Sequence, residues 1–344
     1  MIRKTKRNSK RQSRGKTKKT MKVKMGLIVV IIIVGFIMGV YFLNSNSNLH
    51  SNKSNSPTSS NINILTQTNS TKSINITQLQ SQVLPSNGFV LPAKWGDIVH
   101  EAVLANVINV KNLSLILNYS KEPLTPSEMR ILNGTSTANI ILNSSDALFV
   151  VDVLWGVGIN NNNPIISNGS ISQYNNYTYT VNGITKIYTE TPYDYASTGG
   201  YGALGNLQLG KLNLISLTPQ QQDLANFVAM HSYRPCCNNP TSFPDCNHGA
   251  AALALVEIMA SQGNGVNATF TAVKDFNSLY FTQQYIYDAI YLASQGTSWN
   301  NVSPSIVTGY NFSSYSGASK VQQYVQQKLI SKVGGSGAIA SCAA

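Results

Sequence analysis

The sequence predicts a mostly α-helical domain with one small β-hairpin, tethered outside a membrane by an N-terminal anchor. Three observations lead to this fold class. Apolar residues recur at helical spacing in several stretches after residue 90, and capping signals open some of these stretches. One further stretch alternates with the period of a strand. We expect a helix, a cysteine-containing loop and a second helix at the core of this domain.

The N-terminal segment 1–25 is a basic tail that we assign to the cytoplasm. Residues 1–24 carry twelve Lys and Arg and no acidic residue, so the formal net charge of +12 belongs to this tail and the rest of the chain is formally neutral. A domain without a net basic surface lacks the charge that attracts phosphate backbones. We therefore predict no nucleic-acid partner.

An uncharged apolar segment at 26–43 predicts a single membrane-spanning helix. Its 18 residues would extend ~27 Å as a helix, close to the ~30 Å hydrocarbon core of a bilayer. Lys and Arg flank only one side of it, which places the N-terminus in the cytoplasm and the remainder outside the cell membrane. A cleaved signal peptide is the alternative, but no small-residue cleavage site follows the apolar run.

Residues 44–88 are rich in Ser, Asn and Thr and predict a flexible tether. Such a composition buries too little apolar surface to offset the entropy lost on ordering the chain. Asn-x-Ser/Thr tripeptides, at Asn69 and Asn75 among others, are consistent with a glycosylated outer surface. The extracytoplasmic α-rich domain is then expected at 89–344.

The first half of this domain is expected to hold two helices and the hairpin. Helical apolar spacing covers 93–108 and 144–155, with Ser144 or Ser145 as the cap of the second helix. In 177–188, aromatic and β-branched residues alternate around Asn-Gly, the favoured type I′ turn, which predicts a hairpin.

The second half of the domain is expected to be helical throughout. Thr218 and Pro219 open one helix as cap and first residue, and this helix runs to Met230. A second helix begins at Asp245 or Asn247. Further helical patterns cover 269–281, 284–294 and 317–331.

A cluster of cysteines and histidines lies between the two helices of this second half. Three of the four cysteines and two of the four histidines fall within 231–248. Thiolate sulfur and imidazole nitrogen are ligands of zinc and copper, although this spacing is not that of a standard zinc finger. We predict a copper or zinc site formed by Cys236, Cys237, Cys246 and His248, with His231 as a further candidate ligand.

Two other interpretations of these cysteines stay open. Thiols outside the cytoplasm tend to be oxidised, so Cys236 or Cys237 can pair with Cys246, and the remaining cysteine with Cys342. The protein would then be a disulfide-stapled, glycosylated interaction module without metal. Alternatively, Cys246 lies at a helix start, where free N–H groups and the positive dipole end favour a thiolate, as in a thiol oxidoreductase.

The leading hypothesis is therefore a membrane-anchored, extracytoplasmic metal-binding protein. Its role would be metal sensing, metal delivery or electron transfer, and its partner a metal donor, a metal acceptor or a redox protein. The sequence assigns no catalytic residue. His100 and Glu101 do not extend into a His-Glu-x-x-His zinc motif, because Leu104 occupies the position of the second histidine.

The cysteine-containing stretch also resembles a family of exported prokaryotic proteins of unknown function. It reads Tyr-Arg-Pro-Cys-Cys-Asn-Asn-Pro-Thr-Ser-Phe-Pro-Asp-Cys-Asn-His-Gly from Tyr233 to Gly249. Segments 196–200 and 217–221 share this resemblance. More distantly, the stretch is similar to extracytoplasmic proteins named for a Pro-Cys-Tyr-Cys-Gly-Cys motif. Because the cysteines here are adjacent and not alternating, that motif's site cannot be transferred to this chain.

Overall fold

The structure, a computed structural model, describes residues 63–64, 74–173, 177–181, 184–188 and 210–330. The predicted cytoplasmic tail, the predicted membrane anchor and Cys342 lie outside these residues. Within the described part of the chain, no helix is both long and apolar enough to cross a membrane.

The predicted fold class is confirmed, because the domain is mostly α-helical with small antiparallel β elements. The helices are α1 (Ile76–Val83), α2 (Ile98–Leu104), α3 (Val110–Tyr119), α4 (Pro126–Asn133), α5 (Ala147–Asn160), α6 (Pro164–Ser167), α7 (Pro219–His231), α8 (Asn247–Ser261), α9 (Val266–Tyr280), α10 (Thr282–Ser294), α11 (Pro304–Val307), α12 (Tyr310–Ser313) and α13 (Tyr315–Tyr324). A 3₁₀ turn at Ser170–Gln173 and a π-helical turn at Val325–Ile330 complete the helical elements of the described residues.

The strands of the described residues form antiparallel pairs. These pairs are β1 (Asn63–Ile64) with β2 (Ile74–Asn75), β3 (Phe89–Gly96) with β4 (Ser136–Leu142), and β5 (Tyr177–Val181) with β6 (Ile184–Tyr188). The last pair is the predicted hairpin. Val181 pairs with Ile184, so two residues connect the strands, as a type I′ turn requires. Those two residues, Asn182 and Gly183, lie outside the described part of the chain.

The prediction of a helix over 93–108 is wrong for the first residues of that range. Leu91, Ala93 and Trp95 are buried and alternate with exposed neighbours, so this stretch is strand β3. Gly96, at φ 60°, ends the strand, and α2 begins two residues later. Pairing with β4, more than forty residues along the chain, overrides the local helical spacing.

The folded domain begins earlier than the sequence boundary at residue 89. Residues 74–88, which the sequence analysis assigned to the tether, include helix α1. Its Leu79 and Val83 are buried against Ile286 and Ile290 of α10. The helix starts at a local capping interaction, in which the Asn75 side chain accepts the Gln78 backbone N–H.

Helix α5 begins at Ala147, after both predicted capping serines. Its cap residue is Asp146, and the preceding turn is organised by Asn143, whose side-chain oxygen accepts the backbone N–H groups of Ser145 and Asp146. Asparagine commonly folds a turn in this way, by bonding to the backbone two or three residues further on.

Helix α8 is the central element of the main hydrophobic core. Its residues from Gly249 to Ala260 are all buried, as expected for a helix that is apolar on every side. It packs closely on α5, where Gly158 lies against the carbonyl oxygen of Ala250, and it also contacts α7 and α9. The core therefore fixes the position of the first residues of α8.

Helices α7 and α8 confirm the prediction of a helix, a cysteine loop and a second helix. Thr218 caps α7 in a capping box with Gln221, and Pro219 is the first helical residue, as predicted. The N-cap of α8 is Cys246, between the two starts that the sequence allowed.

Candidate thiol site at the start of helix α8

The loop that joins α7 to α8 folds back on itself and brings its two ends together. The Thr241 N–H donates to the Ser232 carbonyl oxygen at 2.8 Å, and the two hydroxyl groups are also 2.8 Å apart. Tyr233 forms an antiparallel bridge with Pro240. This reversal allows the cysteine pair in the first half of the loop to approach the cysteine at its end.

Arg234 lies at the centre of the loop and holds it together. Its side chain is 1% exposed and forms an ion pair with Asp245, the residue before the α8 cap. Its guanidinium nitrogens donate to the backbone carbonyl oxygens of Asn239, Pro240 and Phe243 at 3.1–3.3 Å. Arginine suits this role because its planar guanidinium carries five donors in a fixed arrangement.

The same guanidinium also donates to a cysteine. Nε of Arg234 lies 3.1 Å from Sγ of Cys246. The Gly249 backbone N–H, in the first turn of α8, lies 3.4 Å from the same sulfur. A side chain at Gly249 would collide with Arg234, since an ideal Cβ there would stand 2.6 Å from Cζ of the arginine. The glycine is therefore needed for the arginine to reach the sulfur.

The three described cysteines lie together, and none of them forms a disulfide with another described residue. The sulfurs of Cys236 and Cys246 are 4.0 Å apart, and Sγ of Cys237 lies 3.9 Å from the Asn239 carbonyl oxygen. All three side chains are half-buried and so remain partly open to solvent. Cys342, which the disulfide interpretation needs for a second bond, lies outside the described residues.

The surroundings shift the pKa values of two of these thiols in opposite directions. Hydrogen bonds from Cys236 and Cys237 lower the pKa of Cys246 well below its usual value, and the positive charges of Arg234 and His248 lower it further, against the opposing effect of burial. A hydrogen bond with Cys236 lowers the pKa of Cys237, but its bond to Cys246 and its burial prevail and raise that pKa to about 11. Of these two thiols, Cys246 is therefore the stronger acid.

The two histidines of the predicted metal site lie in different surroundings. His248 packs against the rings of Tyr280 and Phe281, at centroid distances of 5.2 and 5.0 Å. Its Nδ1 is buried and has no hydrogen-bond partner among the described residues. His231 is exposed at the end of α7, where Nδ1 lies 2.7 Å from the Phe227 carbonyl oxygen and the ring stacks on Phe227.

A metal ion fits this arrangement only in part. With a Zn–S distance of ~2.3 Å, two thiolates bound to one tetrahedral zinc have sulfurs about 3.8 Å apart. The sulfurs of Cys236 and Cys246 are 4.0 Å apart, close to that value. However, no three His, Cys, Asp or Glu residues in the described ranges are arranged to hold an ion. The Arg234 guanidinium also places a positive charge beside Cys246. The metal site stays a prediction that this geometry does not complete.

Sequence reasoning missed the residues that surround the sulfur. Arg234, Asp245 and Gly249 all stand within the stretch quoted for the cysteines, but no role followed from their spacing. An arginine and an aspartate near cysteines are a weak signal of an ion pair, because such residues are mostly exposed. Only the fold shows that this arginine is buried.

Comparisons with known proteins add no family to this description. No family model matches the chain, and no curated protein or solved structure matches it either. The resemblance inferred from the cysteine-containing stretch therefore stays a prediction.

Proposed function

We propose that this domain performs thiol–disulfide exchange, with Cys246 as the nucleophile and Cys236 as the resolving thiol. The observation that carries the proposal is the environment of the Cys246 sulfur. It has the guanidinium of Arg234 at 3.1 Å on one side and the sulfur of Cys236 at 4.0 Å on the other. The proposal keeps the predicted position of the domain, tethered outside a membrane where disulfides persist.

The exchange proceeds in two balanced steps. The Cys246 thiolate attacks one sulfur of a substrate disulfide, forming a mixed disulfide and releasing the first substrate thiolate, which takes up a proton. Cys236 then loses its proton and attacks the Cys246 sulfur, forming a Cys236–Cys246 disulfide and releasing the second substrate thiolate. The substrate disulfide is reduced and the protein dithiol is oxidised. A substrate dithiol drives the same steps in reverse.

The neighbouring groups have distinct roles in this proposal. Arg234 and the Gly249 N–H stabilise the Cys246 thiolate, since a charge-assisted hydrogen bond is stronger than a neutral one. Cys237, with its pKa raised to about 11, stays protonated near neutral pH and does not compete as a nucleophile. The His248 charge further lowers the pKa of Cys246.

Alkylation kinetics test this assignment. We expect iodoacetamide to modify Cys246 before Cys237, with a rate that levels off at a pH below that of an unperturbed thiol, because only the thiolate reacts. Peptide mass spectrometry of the full-length chain measures the rate at each cysteine. Added oxidised glutathione should then produce a Cys236–Cys246 disulfide, and Cys236→Ser should trap a glutathione adduct on Cys246. Equal alkylation rates at all three cysteines would contradict the proposal.

Metal binding is the second candidate function, and the separation of the two sulfurs favours it. Cys236 and Cys246 would supply thiolate ligands to copper or zinc, with Cys237 and His248 as the further predicted ligands. Metal content measured together with free thiols, on protein purified without chelators, distinguishes the two candidates. About one metal ion per chain, lost in Cys246→Ser and protecting the thiols from alkylation, would favour the metal site over exchange.

A further inference from the structure

A groove of about 660 Å³ lies on the surface, and Tyr233 of the cysteine loop is part of its lining. Helix α7 contributes Phe227, Met230 and His231 to its lining, and α9 contributes Val266 and Phe270. Tyr233, Ser305 and Tyr310 are among the residues that complete the lining. We infer that this groove binds an apolar, uncharged segment of a protein substrate, next to the cysteine that exchanges with Cys246. This inference rests on the proposed function and names its substrate class.

The lining of the groove selects for an apolar partner. No Asp, Glu, Lys or Arg is among the residues that line it. Three of its side chains are large and well exposed, with Phe227, Met230 and Tyr310 at 48%, 59% and 47% of their surface. A soluble domain rarely exposes adjoining apolar side chains of this size unless they bind a partner. A charged small disulfide such as oxidised glutathione would find no complementary charge here.

The groove and the cysteine loop are continuous. Tyr233, in the groove lining, begins the segment that leads through Arg234 to Cys236, and its ring packs edge-on against Tyr310 at 5.3 Å. A few residues after Tyr310, the backbone N–H of Tyr315 donates to the carbonyl oxygen of Cys237 at 2.9 Å. The same two chain segments therefore line the groove and contact the backbone of the cysteine pair.

The dimensions of an extended peptide suit this arrangement. Cys236 follows Tyr233 by three positions, which at ~3.5 Å per residue is at most about 11 Å of chain. An extended substrate strand covers that distance in about three or four residues. We therefore expect substrates with a cysteine about three or four residues from a Phe, Leu or Ile that enters the groove.

Peptide binding without exchange tests the groove independently of the thiols. The probe is a fluorescent peptide in which serine replaces a cysteine placed a few residues from leucine and phenylalanine. Its anisotropy is measured with the full-length chain in lipid nanodiscs. Met230→Asp places a charge in the groove and should weaken binding at least tenfold. Leu115→Asp, at a residue that is also 59% exposed but lies on α3, is the matched control and should leave binding unchanged.

Equal binding to both variants would overturn the inference, as would equal binding of a peptide whose apolar residues are replaced by glutamate. Closure of the groove by a second copy of this chain would also overturn it. In that case gel filtration would show a dimer that Met230→Asp dissociates, and the wild-type chain would not bind the peptide.

The same peptide with its cysteine restored, and with that cysteine held in a disulfide, then tests whether binding in the groove promotes exchange. Its exchange rate should fall in Met230→Asp, while the rate with oxidised glutathione stays the same. If neither disulfide reacts, the proposed function fails, and the serine peptide still decides whether the groove binds apolar segments.

Discussion

The two halves of helix α8 hold acidic groups whose pKa values are shifted in opposite directions. At its start, Cys246 is surrounded by donors, and its pKa lies well below the usual value of a thiol. Eleven residues later, Glu257 is fully buried, and burial raises the pKa of its carboxyl group to about 8, against the opposing effect of hydrogen bonds from Asn161 and Asn163. The protein thus lowers the pKa of the group that is the weaker acid by residue type and raises the pKa of the stronger one.

The difference lies in the charge and dipoles near each group, and burial alone does not explain it. Cys246 accepts hydrogen bonds from the thiols of Cys236 and Cys237, and it also has a guanidinium and the positive end of the helix dipole beside it. All of these stabilise an anion. The Glu257 side chain has a neutral amide, with Nδ2 of Asn161 at 2.8 Å, and no ion pair with any described residue. The carboxyl group of Glu257 has only neutral groups to offset its burial, and its pKa rises for that reason.

Removing the Arg234 guanidinium should have the largest effect, both on the stability of the domain and on the pKa of Cys246. Arg234→Met leaves the half-buried Asp245 without its ion-pair partner and deprives three loop carbonyl oxygens of their donor. Breaking a buried ion pair by removing one partner costs about 3–5 kcal/mol. We expect a loss of unfolding free energy of that size, measured by urea denaturation, together with a higher pKa of Cys246, measured by the pH dependence of its alkylation.

Arg130→Met, at an exposed arginine of α4, is the control for the loss of one positive charge. It should leave both the stability and the alkylation profile close to wild type. If Arg234→Met lowered the stability but left the pKa of Cys246 unchanged, the arginine would hold the loop without activating the thiol.

Replacing the titratable carboxyl group of Glu257, near the other end of α8, should alter how the free energy of unfolding depends on pH. Because the pKa of Glu257 rises from 4.5 in the unfolded chain to about 8 in the folded one, its contribution to stability is complete below pH 4.5 and is lost as the pH rises towards 8. The slope reaches at most ~1.4 kcal/mol per pH unit. Glu257→Gln should remove this contribution and raise the stability near pH 8 relative to wild type.

Urea denaturation between pH 4.5 and 8 measures this effect, with Glu101→Gln, at an exposed residue of α2, as the control. A slope of the same sign should persist in Glu257→Gln. Burial also raises the pKa of Asp275, to about 7, and that of Asp288. An unchanged slope in Glu257→Gln would show that Glu257 is ionised in the folded protein.

Adding a methyl group against Arg234 should change the stability and the pKa of Cys246 less than removing the arginine does. Gly249→Ala places a methyl group against the guanidinium, and overpacking of this kind costs about 1–3 kcal/mol. Because Nε and Nη2 of Arg234 both lie close to this methyl group, we expect the contact of Nε with Cys246 to lengthen, as well as those of Nη2 with Asp245 and Phe243. We expect a modest loss of stability and a higher pKa of Cys246, from the same two measurements.

The matched control is Gly263→Ala, at the end of α8, where a Cβ meets no neighbouring atom but the backbone has φ 79°. It should cost stability through backbone strain and leave the alkylation profile unchanged. A change in the profile of Gly263→Ala as large as that of Gly249→Ala would show that the thiol senses general destabilisation of α8, and not the position of Arg234.

Sequence patterns predicted the helices around the site well, because their signals are local. Thr218 and Pro219 mark the start of α7, and the unbroken apolar run of α8 marks a helix buried on every side. The patterns failed where distant segments compete with local preference. Strand β3 forms because β4 pairs with it, and α1 is folded because α10 covers Leu79 and Val83.

The sequence alone determined that the domain is mostly helical, that a hairpin lies at 177–188 and that three cysteines cluster before a buried helix. These properties follow from periodicity, caps and turn residues, which act over a few positions of the chain. Only the tertiary structure decided which cysteines meet, that Arg234 is buried against Cys246, and that His231 lines a groove. The lowered pKa of Cys246 and the raised pKa of Glu257 depend on burial, hydrogen bonds and charges brought together by folding, which no local pattern encodes.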